Sequence, residues 1–599
     1  MENIEIVRVL DEVADLLEIQ QANPFRIRAY RNAVRTINAH ASPLRKLVEQ
    51  GADLTELPSI GKGMAENIRE LVESGRLAML DELAAEIPPG LVDLVRLSGV
   101  GPKKARKLWD ELGVESIEDL EEVAKEGRVA ELPGFGLKTQ DLILRGIRNY
   151  RTNTARFRLG EVDELLPPLI EHLRATPGIT RLEVAGSYRR RKETVGDIDI
   201  LVLAEDAHAA SDALVGFSGV ESVIGAGGTK TSIRLRSGLQ VDLRVVPAES
   251  WGAALVYFTG SKEHNIRLRR RALDRKLRVS EYGVFEIPGE SVGDRLGERG
   301  VASEGAMVPG ASEEAVYRAL DLAWIPPELR TDRGEFTASD AGALPDLVER
   351  SDLRGDVHMH STWSDGRVSL EAMVTACAAR GYEYMAITDH SKALAMVEGL
   401  DAAKLRRQWE EIEQVQATHP EIRILRGMEV DILRDGSLDL EDEMLEGLDV
   451  VIISVHSFFG LERAQQTARV LKALSHPRSM IFGHPTGRIL NRRGPIDVDI
   501  DDILHACAEF RVAVEVNSHP NRLDLKDTHL WRARELGVPV VVTTDAHRPD
   551  ELDLARYGIE QARRAWLTPE HILNTRGVDG FLAGLADAGY GSRTKVPSR

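Results

Sequence analysis

The second half of the chain repeats one pattern that restricts its fold more than any other feature. Short apolar runs each end in a histidine or a carboxylate, and amphipathic stretches separate them: GDVHMHS, MAITDHS, LRGMEVDI, VIISVHS, MIFGHPTG and VVVTTDAH. Such alternation is typical of βα units around a parallel sheet or barrel. Because a β/α barrel gathers the carboxyl ends of its strands at one face, we expect these polar side chains to meet at the barrel mouth.

Nine candidate metal ligands lie at or just after these strand ends: His358, His360, Asp365, His390, Glu429, His456, His484, Asp545 and His547. A lone histidine at a strand end is more often structural than a ligand. Nine such groups at one barrel mouth would be buried and mutually repelling without metal, which favours a metal site. The mixture of imidazole and carboxylate suits Zn²⁺ or Mn²⁺ better than Mg²⁺.

A second acidic cluster lies in the first half, in VAGSYRRRKETVGDIDILVL. Asp197 and Asp199 are two residues apart on a predicted strand, so both carboxylates face one side of it. Asp242 lies in another predicted strand, LQVDLRVV. Adjacent carboxylates repel one another unless cations lie between them, so the trio predicts two Mg²⁺ ions. An isolated D-x-D is usually a surface strand pair, but G-S-x-R-R, G-D-x-D and a separate Asp together are much more specific.

This spacing is the nucleotidyltransferase signature, and it resembles family X DNA polymerases. The segment YFTGSKEHNIRLRRRA (257–272) resembles the part of that family that contacts the incoming nucleotide and the template. By this resemblance Asp197, Asp199 and Asp242 are catalytic metal ligands, and Arg269 faces the template strand. The implied nucleotide-binding residues are Gly186, Ser187, Arg190, Gly196, Tyr257, Phe258, Gly260 and Asn265. One departure is Gln240, which stands where an arginine is common; Arg244 is the candidate substitute.

A Gly-x-Gly turn occurs three times between helical stretches, in LPSIGKGMAENI (57–68), LSGVGPKKARKL (97–108) and LPGFGLKTQDLI (132–143). One copy is as well explained by helix capping as by function. Three copies favour binding of the DNA backbone, because glycines let a phosphate reach the free amides of a helix start. They resemble helix-hairpin-helix motifs, which implies DNA contacts at Gly61, Gly63, Gly99, Gly101, Gly134 and Gly136.

The first hairpin departs from family members that have deoxyribose-phosphate lyase activity. Asn67 stands at the expected position of their Schiff-base lysine, and an amide cannot form that imine. We therefore predict that this region binds gapped DNA without efficient lyase activity.

The nine candidate ligands, in this order, resemble the polymerase and histidinol phosphatase (PHP) domain, a distorted seven-stranded β/α barrel with three metal ions. The implied ligand sets are His358, His360, Glu429 and Asp545 for one ion, Glu429 with His456 and His484 for a second, and Asp365, His390 and His547 for the third. The implied chemistry is metal-assisted phosphodiester hydrolysis. Asn517 and His519 either line this site or form a structural turn, and Arg488, Arg492 and Arg493 either contact DNA or are ordinary surface arginines.

The length of 599 residues requires several domains. We predict a multidomain α+β and α/β protein. Its domains are a lyase-like helix-hairpin-helix domain (1–85), fingers with helix-hairpin-helix motifs (86–152), a nucleotidyltransferase palm (153–250), a thumb (251–325), a linker (326–351) and the seven-stranded PHP barrel (352–580). The net charge of −19 argues against a nucleic-acid partner, but arginines cluster at 189–191 and 267–271. With two cysteines and no apolar run long enough to cross a bilayer, we expect a cytoplasmic monomer that does not contact membranes.

Together these features resemble bacterial family X polymerases. The resemblance implies a DNA-directed DNA polymerase that fills short gaps in base excision repair, acting on gapped or primer–template DNA with dNTPs. It also implies a Mn²⁺-stimulated 3′→5′ exonuclease, or 3′-end-processing activity, in the barrel. Two alternatives remain: a small-molecule phosphatase of the histidinol phosphatase kind fused to a DNA-binding module, and a non-catalytic repair scaffold.

Overall fold

A computed structural model describes residues 3–586, except 21, 40–43, 89, 96, 98–99, 154–155, 288–306, 309, 395–396 and 492. Gly99 of the second hairpin and Arg492 therefore lie outside the described residues. The chain divides into two units, Met1–Ala155 and Arg156–Arg599. None of the helices in the described part of the chain has both the length and the apolar character needed to cross a membrane.

The first unit is helical, as its periodicity predicts. Ile6, Leu10, Val13 and Leu17 recur at helical spacing and are fully buried along one face of the first helix. The helices are α1 (Asn3–Ile19), α2 (Pro24–Ala39), α3 (Leu44–Glu49), α4 (Lys62–Ser74), α5 (Ala78–Glu86), α6 (Gly90–Val95), α7 (Pro102–Leu112), α8 (Ile117–Lys125), α9 (Arg128–Glu131) and α10 (Leu137–Asn153). Helix α4 begins within the first Gly-x-Gly turn, at Lys62, and α7 and α10 begin directly after Gly101 and Gly136.

The second unit begins with a mixed sheet covered by helices. Its elements are β1 (Phe157–Arg158), α11 (Leu159–Arg174), β2 (Ile179–Val184), α12 (Gly186–Arg189), β3 (Thr194–Val195), β4 (Asp197–Ala204), α13 (Ala207–Val215), β5 (Val220–Ala226), β6 (Lys230–Leu235) and β7 (Gln240–Val245). Five strands pair in the order β2-β4-β7-β6-β5. The pair β4–β7 is parallel and the other three pairs are antiparallel. The inward side chains of β4, Ile198 and Ile200, pack in one core with Leu166 and Leu169 of α11.

A helical region with a small antiparallel sheet follows. It consists of α14 (Trp251–Thr259), α15 (Lys262–Asp274), β8 (Leu277–Ser280), β9 (Gly283–Glu286), β10 (Met307–Val308) and α16 (Glu313–Arg318). The three strands pair in the order β10-β9-β8.

The segment 326–351, whose prolines and polar residues predict a linker, is packed rather than loose. It contains α17 (Glu335–Asp340), and its Leu329 and Phe336 belong to the same core as Leu268 of α15. Arg330 and Glu335 are fully buried. This segment therefore extends the thumb core toward the barrel.

The C-terminal part is a ring of parallel strands, as the βα alternation predicts. Its elements are β11 (Gly355–Asp356), α18 (Leu370–Ala379), β12 (Tyr384–Ile387), α19 (Ala402–Thr418), β13 (Arg423–Asp431), α20 (Asp442–Glu446), β14 (Val450–Ser454), α21 (Arg463–Leu474), β15 (Ile481–Phe482), α22 (Ile500–Phe510), β16 (Ala513–Asn517), α23 (Asp527–Glu535), β17 (Val540–Thr543), α24 (Ala555–Arg564) and α25 (Val578–Ala586). The seven strands pair in sequence order. A parallel bridge between Met359 and Ala546 joins the two ends, so the barrel is nearly closed.

Candidate active sites

The parallel pairing of β4 and β7 brings the three predicted palm carboxylates together. Asp199 lies directly opposite Asp242, and Asp197 lies opposite Gln240. Since alternate residues of a strand share a face, all three carboxylates project from the same side of the sheet. Burial, and then the charges of Asp197 and Asp242, raise the pKa of Asp199 to about 6. This cluster of acidic oxygens is the donor set that Mg²⁺ prefers.

Asp242 has partners that the sequence did not reveal. Lys230 Nζ on β6 lies 2.7 Å from Asp242 Oδ2, and Gln240 Nε2 donates to Asp242 Oδ1 at 3.2 Å. Burial alone would raise the pKa of Asp242, but hydrogen bonds from Lys230, Ser232 and Gln240 outweigh it and lower the pKa. The charges of Arg244 and Lys230 do not offset the burial of Asp199 and its repulsion by Asp197 and Asp242, so the residues present fit a divalent cation at this face.

A cleft of about 460 Å³ opens beside these carboxylates. It is lined by Arg156, Gly186, Ser187, Arg190, Lys192, Asp197, Asp199, Tyr257, Phe258, Gly260, Lys262, Asn265 and Arg269. Of the predicted nucleotide-binding residues only Gly196 is missing from the lining, although it directly precedes Asp197. Arg156 and Lys192 were missed by sequence reasoning. Lys192 directly follows the arginine run, whereas Arg156 is brought to the cleft only by the fold.

Two glycines permit close approaches at this cleft. A Cβ added to Gly186, whose φ is +66°, would lie 3.0 Å from Asp199 Oδ2. A Cβ added to Gly260, whose φ is +68°, would lie 3.0 Å from Arg190 Nη1. The Arg190 guanidinium donates to the carbonyl of Thr259, and burial, followed by the charge of Arg564, lowers the pKa of Arg190 to about 10.

An aromatic wall closes one side of the cleft. The rings of Tyr257 and Phe258 meet edge to face at 5.1 Å, and the Arg244 guanidinium lies 4.3 Å from the centre of the Phe258 ring. Asn265 Nδ2 donates to the carbonyl of Tyr257 at 2.6 Å, and Arg269 Nε donates to the carbonyl of Asn265 at 3.2 Å. The first bond links α15 to α14, and the second joins Asn265 and Arg269, which are one turn apart on α15.

The nine predicted barrel ligands converge on one site, with Glu429 at its centre. Five histidine nitrogens surround the two Glu429 oxygens: His484 Nε2 at 2.9 Å, His390 Nδ1 at 2.9 Å, His456 Nε2 at 3.3 Å, His358 Nε2 at 3.5 Å and His360 Nε2 at 3.8 Å. Asp545 Oδ1 lies 3.1 Å from His360 Nε2. The Asp365 carboxylate lies 3.3 Å from His547 Nε2 and 3.5 Å from His390 Nε2.

The geometry of this cluster fits metal ions better than hydrogen bonds. Both Glu429 oxygens and His358 Nε2 are buried without a hydrogen-bond partner. Three groups of side chains have ligand atoms close enough together to share an ion: His360, Asp365, His390 and His547; His358, His360 and Asp545; and His390, Glu429 and His456. These groups overlap the three sets that the PHP resemblance implies, but His360 and His390 each occur in two of them. The division of ligands among individual ions stays a prediction.

A second layer of carboxylates orients the histidines. Glu515 Oε1 lies 2.5 Å from His358 Nδ1, and Glu515 Oε2 accepts a hydrogen bond from the amide of His484. Asp431 Oδ1 lies 3.1 Å from His456 Nδ1. Each contact leaves Nε2 of the histidine facing the site. The signal for Glu515 was available in the sequence, because an acidic residue inside the apolar run AVEVN is costly unless it has a partner.

The ionisable side chains of the barrel site lie close enough together to shift one another's pKa. Burial alone would raise the pKa of Glu429, but His456, His390 and His358 hold it well below its usual range. Burial, together with the charges of His547 and His390, lowers the pKa of His360 to about 3. Glu429 is thus an anion and His360 a neutral imidazole, which are the forms that bind metals. Burial alone would lower the pKa of His390, His456 and His547, but neighbouring carboxylates outweigh it and raise the pKa to about 10 for His390 and to about 9 for the other two. Binding of metal ions at these three histidines would therefore displace their protons.

The remaining barrel residues that the sequence singled out take different roles. Asn517 Nδ2 donates to Asp545 Oδ2 at 3.0 Å, so Asn517 supports a candidate ligand. Arg488 is buried and its Nη2 lies 2.7 Å from Glu193 Oε2. Its guanidinium therefore pairs with a palm residue instead of facing DNA.

The hairpin turns of the first unit are open on their glycine side. A Cβ added to Gly61, Gly63, Gly101, Gly134 or Gly136 would meet nothing within 4 Å. Gly134 and Gly136 have φ of +86° and +104°, values that favour glycine. Each turn thus leaves space for a bulky anion beside the start of the following helix.

Comparison with known proteins places the chain in a family. It is 37% identical over 588 residues to the DNA polymerase/3′-5′ exonuclease PolX of Bacillus subtilis (strain 168), covering 97% of this chain and 99% of that relative. The chain belongs to the family X DNA polymerases. Five family descriptions match in order: "Helix-hairpin-helix domain" (1–77), "SAM-like Helix-hairpin-helix tandem" (91–149), "DNA polymerase beta palm" (160–226), "DNA polymerase beta thumb" (254–331) and "PHP domain" (356–519).

Two eukaryotic relatives share part of this family X chain. DNA polymerase lambda of Arabidopsis thaliana is 29% identical over 306 residues, covering 47% of this chain and 54% of the relative. DNA polymerase lambda of Rattus norvegicus is 25% identical over 356 residues, covering 55% and 56%. The predicted fold class is confirmed. The matched PHP segment ends at residue 519, but Asp545 and His547 lie in the same cluster as the ligands inside it.

Proposed function

We propose that this family X member is a gap-filling DNA polymerase of base excision repair that also hydrolyses the 3′ ends of DNA in its barrel. Its substrates are gapped or primer–template DNA and dNTPs. The observation that carries the proposal is the cleft in which two of the three palm carboxylates meet the predicted nucleotide-binding residues. The cluster around Glu429 supports the second activity.

In the palm, Asp197, Asp199 and Asp242 would hold two Mg²⁺ ions, which supply Lewis-acid activation of the attacking oxygen and charge neutralisation at the leaving pyrophosphate. Three of the five positive side chains that line the cleft, Arg190, Lys192 and Lys262, bind the triphosphate. Gly186 and Gly260 let the nucleotide approach the backbone closely, and the rings of Tyr257 and Phe258 pack against its sugar.

Helix α15, which begins at Lys262, selects the correct nucleotide. Asn265 faces the minor-groove edge of the new base pair and Arg269 faces the template strand. Minor-groove acceptors are similar in all correct pairs, so these contacts check shape rather than base identity.

In the barrel, Glu429 and the eight other candidate ligands would hold up to three Mn²⁺ or Zn²⁺ ions, which supply a nucleophile at neutral pH and neutralise charge on the reacting phosphate. Glu515 and Asp431 hold the rings of His358 and His456 in place. The carboxylates of Glu429, Asp365 and Asp545 would otherwise repel a DNA phosphate, so we expect hydrolysis to depend strictly on added metal.

The hairpins at Gly61, Gly101 and Gly134 contact the DNA backbone without reading sequence. On a chain with a net charge of −19, this binding is expected to weaken steeply with salt.

A gapped duplex with a labelled primer tests the proposal. With dNTPs and Mg²⁺ the wild type should extend the primer, and with Mn²⁺ and no dNTPs it should shorten the primer from its 3′ end. Asp199→Asn should lower extension by about a thousandfold or more and leave shortening intact, and Asp545→Asn should do the reverse.

The alternatives predict other results in the same assay. A small-molecule phosphatase would hydrolyse a small phosphate monoester and leave the primer unchanged. A non-catalytic scaffold would bind the duplex without extension or shortening.

A further inference from the structure

The last residue of the predicted triphosphate-binding helix α12 and the four residues that follow it form a distinctive turn. We call residues 189–193 the triphosphate turn, because Arg190 and Lys192 both line the nucleotide cleft. The turn joins α12 to β3, and Arg191 within it has φ of +53°. A non-glycine residue in this left-handed region is strained and persists only where surrounding contacts hold it.

Three of those contacts come from the barrel. Arg564 Nη1 donates to the carbonyl of Arg190 at 2.7 Å. Arg191 Nε lies 2.8 Å from Glu560 Oε1. At the end of the turn, Arg488 Nη2 lies 2.7 Å from Glu193 Oε2. Two of the three barrel residues lie on α24, and none of the three is a candidate metal ligand.

Arg564 is itself held rigidly. Its Nη2 donates to Asp527 Oδ2 at 2.7 Å, and Arg333 Nη1 lies 3.1 Å from the same oxygen. Arg564 is buried and Asp527 largely so. Burial alone would raise the pKa of Asp527, but Arg333 and Arg564 outweigh it and lower the pKa. Asp527 therefore stays ionised and fixes the direction in which Arg564 points.

The other side of the turn is held by the thumb. The Arg190 guanidinium donates to the carbonyl of Thr259, and Arg189 Nη1 lies 2.7 Å from Glu313 Oε1. The main chain of Arg190 is thus held by the barrel and its side chain by the thumb. Loss of the Arg564 contact would let the guanidinium move relative to the palm carboxylates.

We propose that Arg564 of the barrel is a positioning residue for nucleotide binding in the palm. This inference rests on the proposed function of the cleft, and it gives the barrel a role in synthesis that is separate from its own hydrolytic site. A bound dNTP would meet Arg190 already oriented, so the contribution of Arg564 is expressed in the KM for dNTP more than in kcat.

The experiment uses the full-length chain and the gapped duplex with Mg²⁺, and it measures KM and kcat for dNTP. Arg564→Ala should raise the KM about tenfold, the order expected for a lost charged hydrogen bond, with a smaller change in kcat. Arg564→Lys should recover part of the loss, since an ammonium can still donate to the Arg190 carbonyl. Arg563→Ala is the matched control, because Arg563 lies on the same helix but contacts Glu328 and the carbonyl of Val348 instead of the turn.

Shortening of the primer with Mn²⁺ serves as the test of folding for each variant and should equal that of the wild type. If Arg564→Ala fails this test, Glu560→Ala replaces it; that change removes the other α24 contact to the turn and should also raise the KM. An unchanged KM in a folded variant overturns the inference, and so does an equal rise in Arg563→Ala. A wild-type chain that does not extend the primer refutes the proposed function, whereas extension with an unaffected KM refutes only this inference.

Discussion

Single carboxylates behind two of the candidate ligands, His358 and His456, decide which ring nitrogen these histidines present to the barrel mouth. Glu515 is the clearest case, since it is fully buried and contacts both His358 Nδ1 and the amide of His484. Glu515→Gln keeps the shape and removes the charge. We expect it to weaken Mn²⁺-dependent hydrolysis by about 10- to 100-fold, the usual cost of losing such a partner.

A Mn²⁺ titration of the shortening rate measures this effect as a shift of the half-saturating concentration. Glu413→Gln is the control, because Glu413 pairs with Arg426 at the surface of the barrel. Equal titration curves for the two variants would show that Glu515 has no part in the site.

The site residues that the sequence predicted follow local side-chain patterns, whereas the residues that it missed reach the site through the fold. The period of two in DIDIL placed Asp197 and Asp199 on one face, and Asp242, predicted from the separate strand LQVDLRVV, lies opposite Asp199 in the structure. Lys230 and Arg156 were missed because their roles depend on strand register and chain path. Local patterns of side chains do not encode those contacts.

At the scale of elements, the short helix α16 ties the thumb to the palm through its first residue. Glu313 contacts Arg189 and the fully buried Arg330, both at 2.7 Å. Burial alone would raise the pKa of Glu313, but these two arginines outweigh it and lower the pKa from 4.5 to about 2. The charged form therefore stabilises the fold at pH above 4.5, and this contribution is lost as the pH falls from 4.5 toward 2.

Glu313→Gln should destabilise the protein by about 3–5 kcal/mol at neutral pH, because two arginines lose their buried partner. Denaturant unfolding of the wild type and the variant at several pH values measures the difference. The difference should be constant above pH 5 or so and shrink in more acidic buffers. A difference that does not vary with pH would contradict this account.

The hairpin that precedes α4 allows fold and function to be separated. Gly63 lies inside the helix with open space around it. Gly63→Ala should therefore stabilise the helix, by up to about 1 kcal/mol. The added methyl group should nevertheless weaken binding of gapped DNA by about tenfold, because it keeps a phosphate from the amides.

Fluorescence anisotropy with labelled gapped DNA at fixed salt tests this pair of opposite effects. Gly460→Ala, in a barrel loop with equally open space, should leave affinity unchanged. Undiminished affinity in Gly63→Ala would mean that this turn does not contact the DNA backbone.

Elements whose apolar residues recur at a regular spacing were predictable from the sequence, whereas the packing of the segment 326–351 was not. The apolar runs of the barrel and the helical spacing in α1 gave the correct element types because burial alone sets those patterns. The segment 326–351 was predicted from its prolines and polar residues to be a linker. Its Leu329 and Phe336 pack in an apolar core with Leu268, and Arg330 pairs with Glu313. Local composition does not reveal these contacts with other parts of the chain.

At the scale of the whole molecule, the palm and barrel of the second unit are joined by contacts that leave the two candidate metal sites separate. The contacts involve Arg564, Glu560 and Arg488. The palm carboxylates lie together on β4 and β7, and the barrel ligands cluster around Glu429. This arrangement predicts two metal centres that can be removed one at a time.

Diffraction from crystals soaked in Mn²⁺, recorded for its anomalous signal, tests that claim most directly. We predict peaks beside Asp199 and Asp242 and around Glu429 in the wild type. Asp199→Asn should lose only the palm peaks and Asp545→Asn should weaken only the barrel peaks. The absence of manganese from both clusters, in crystals of protein that still extends and shortens primers, would contradict the account.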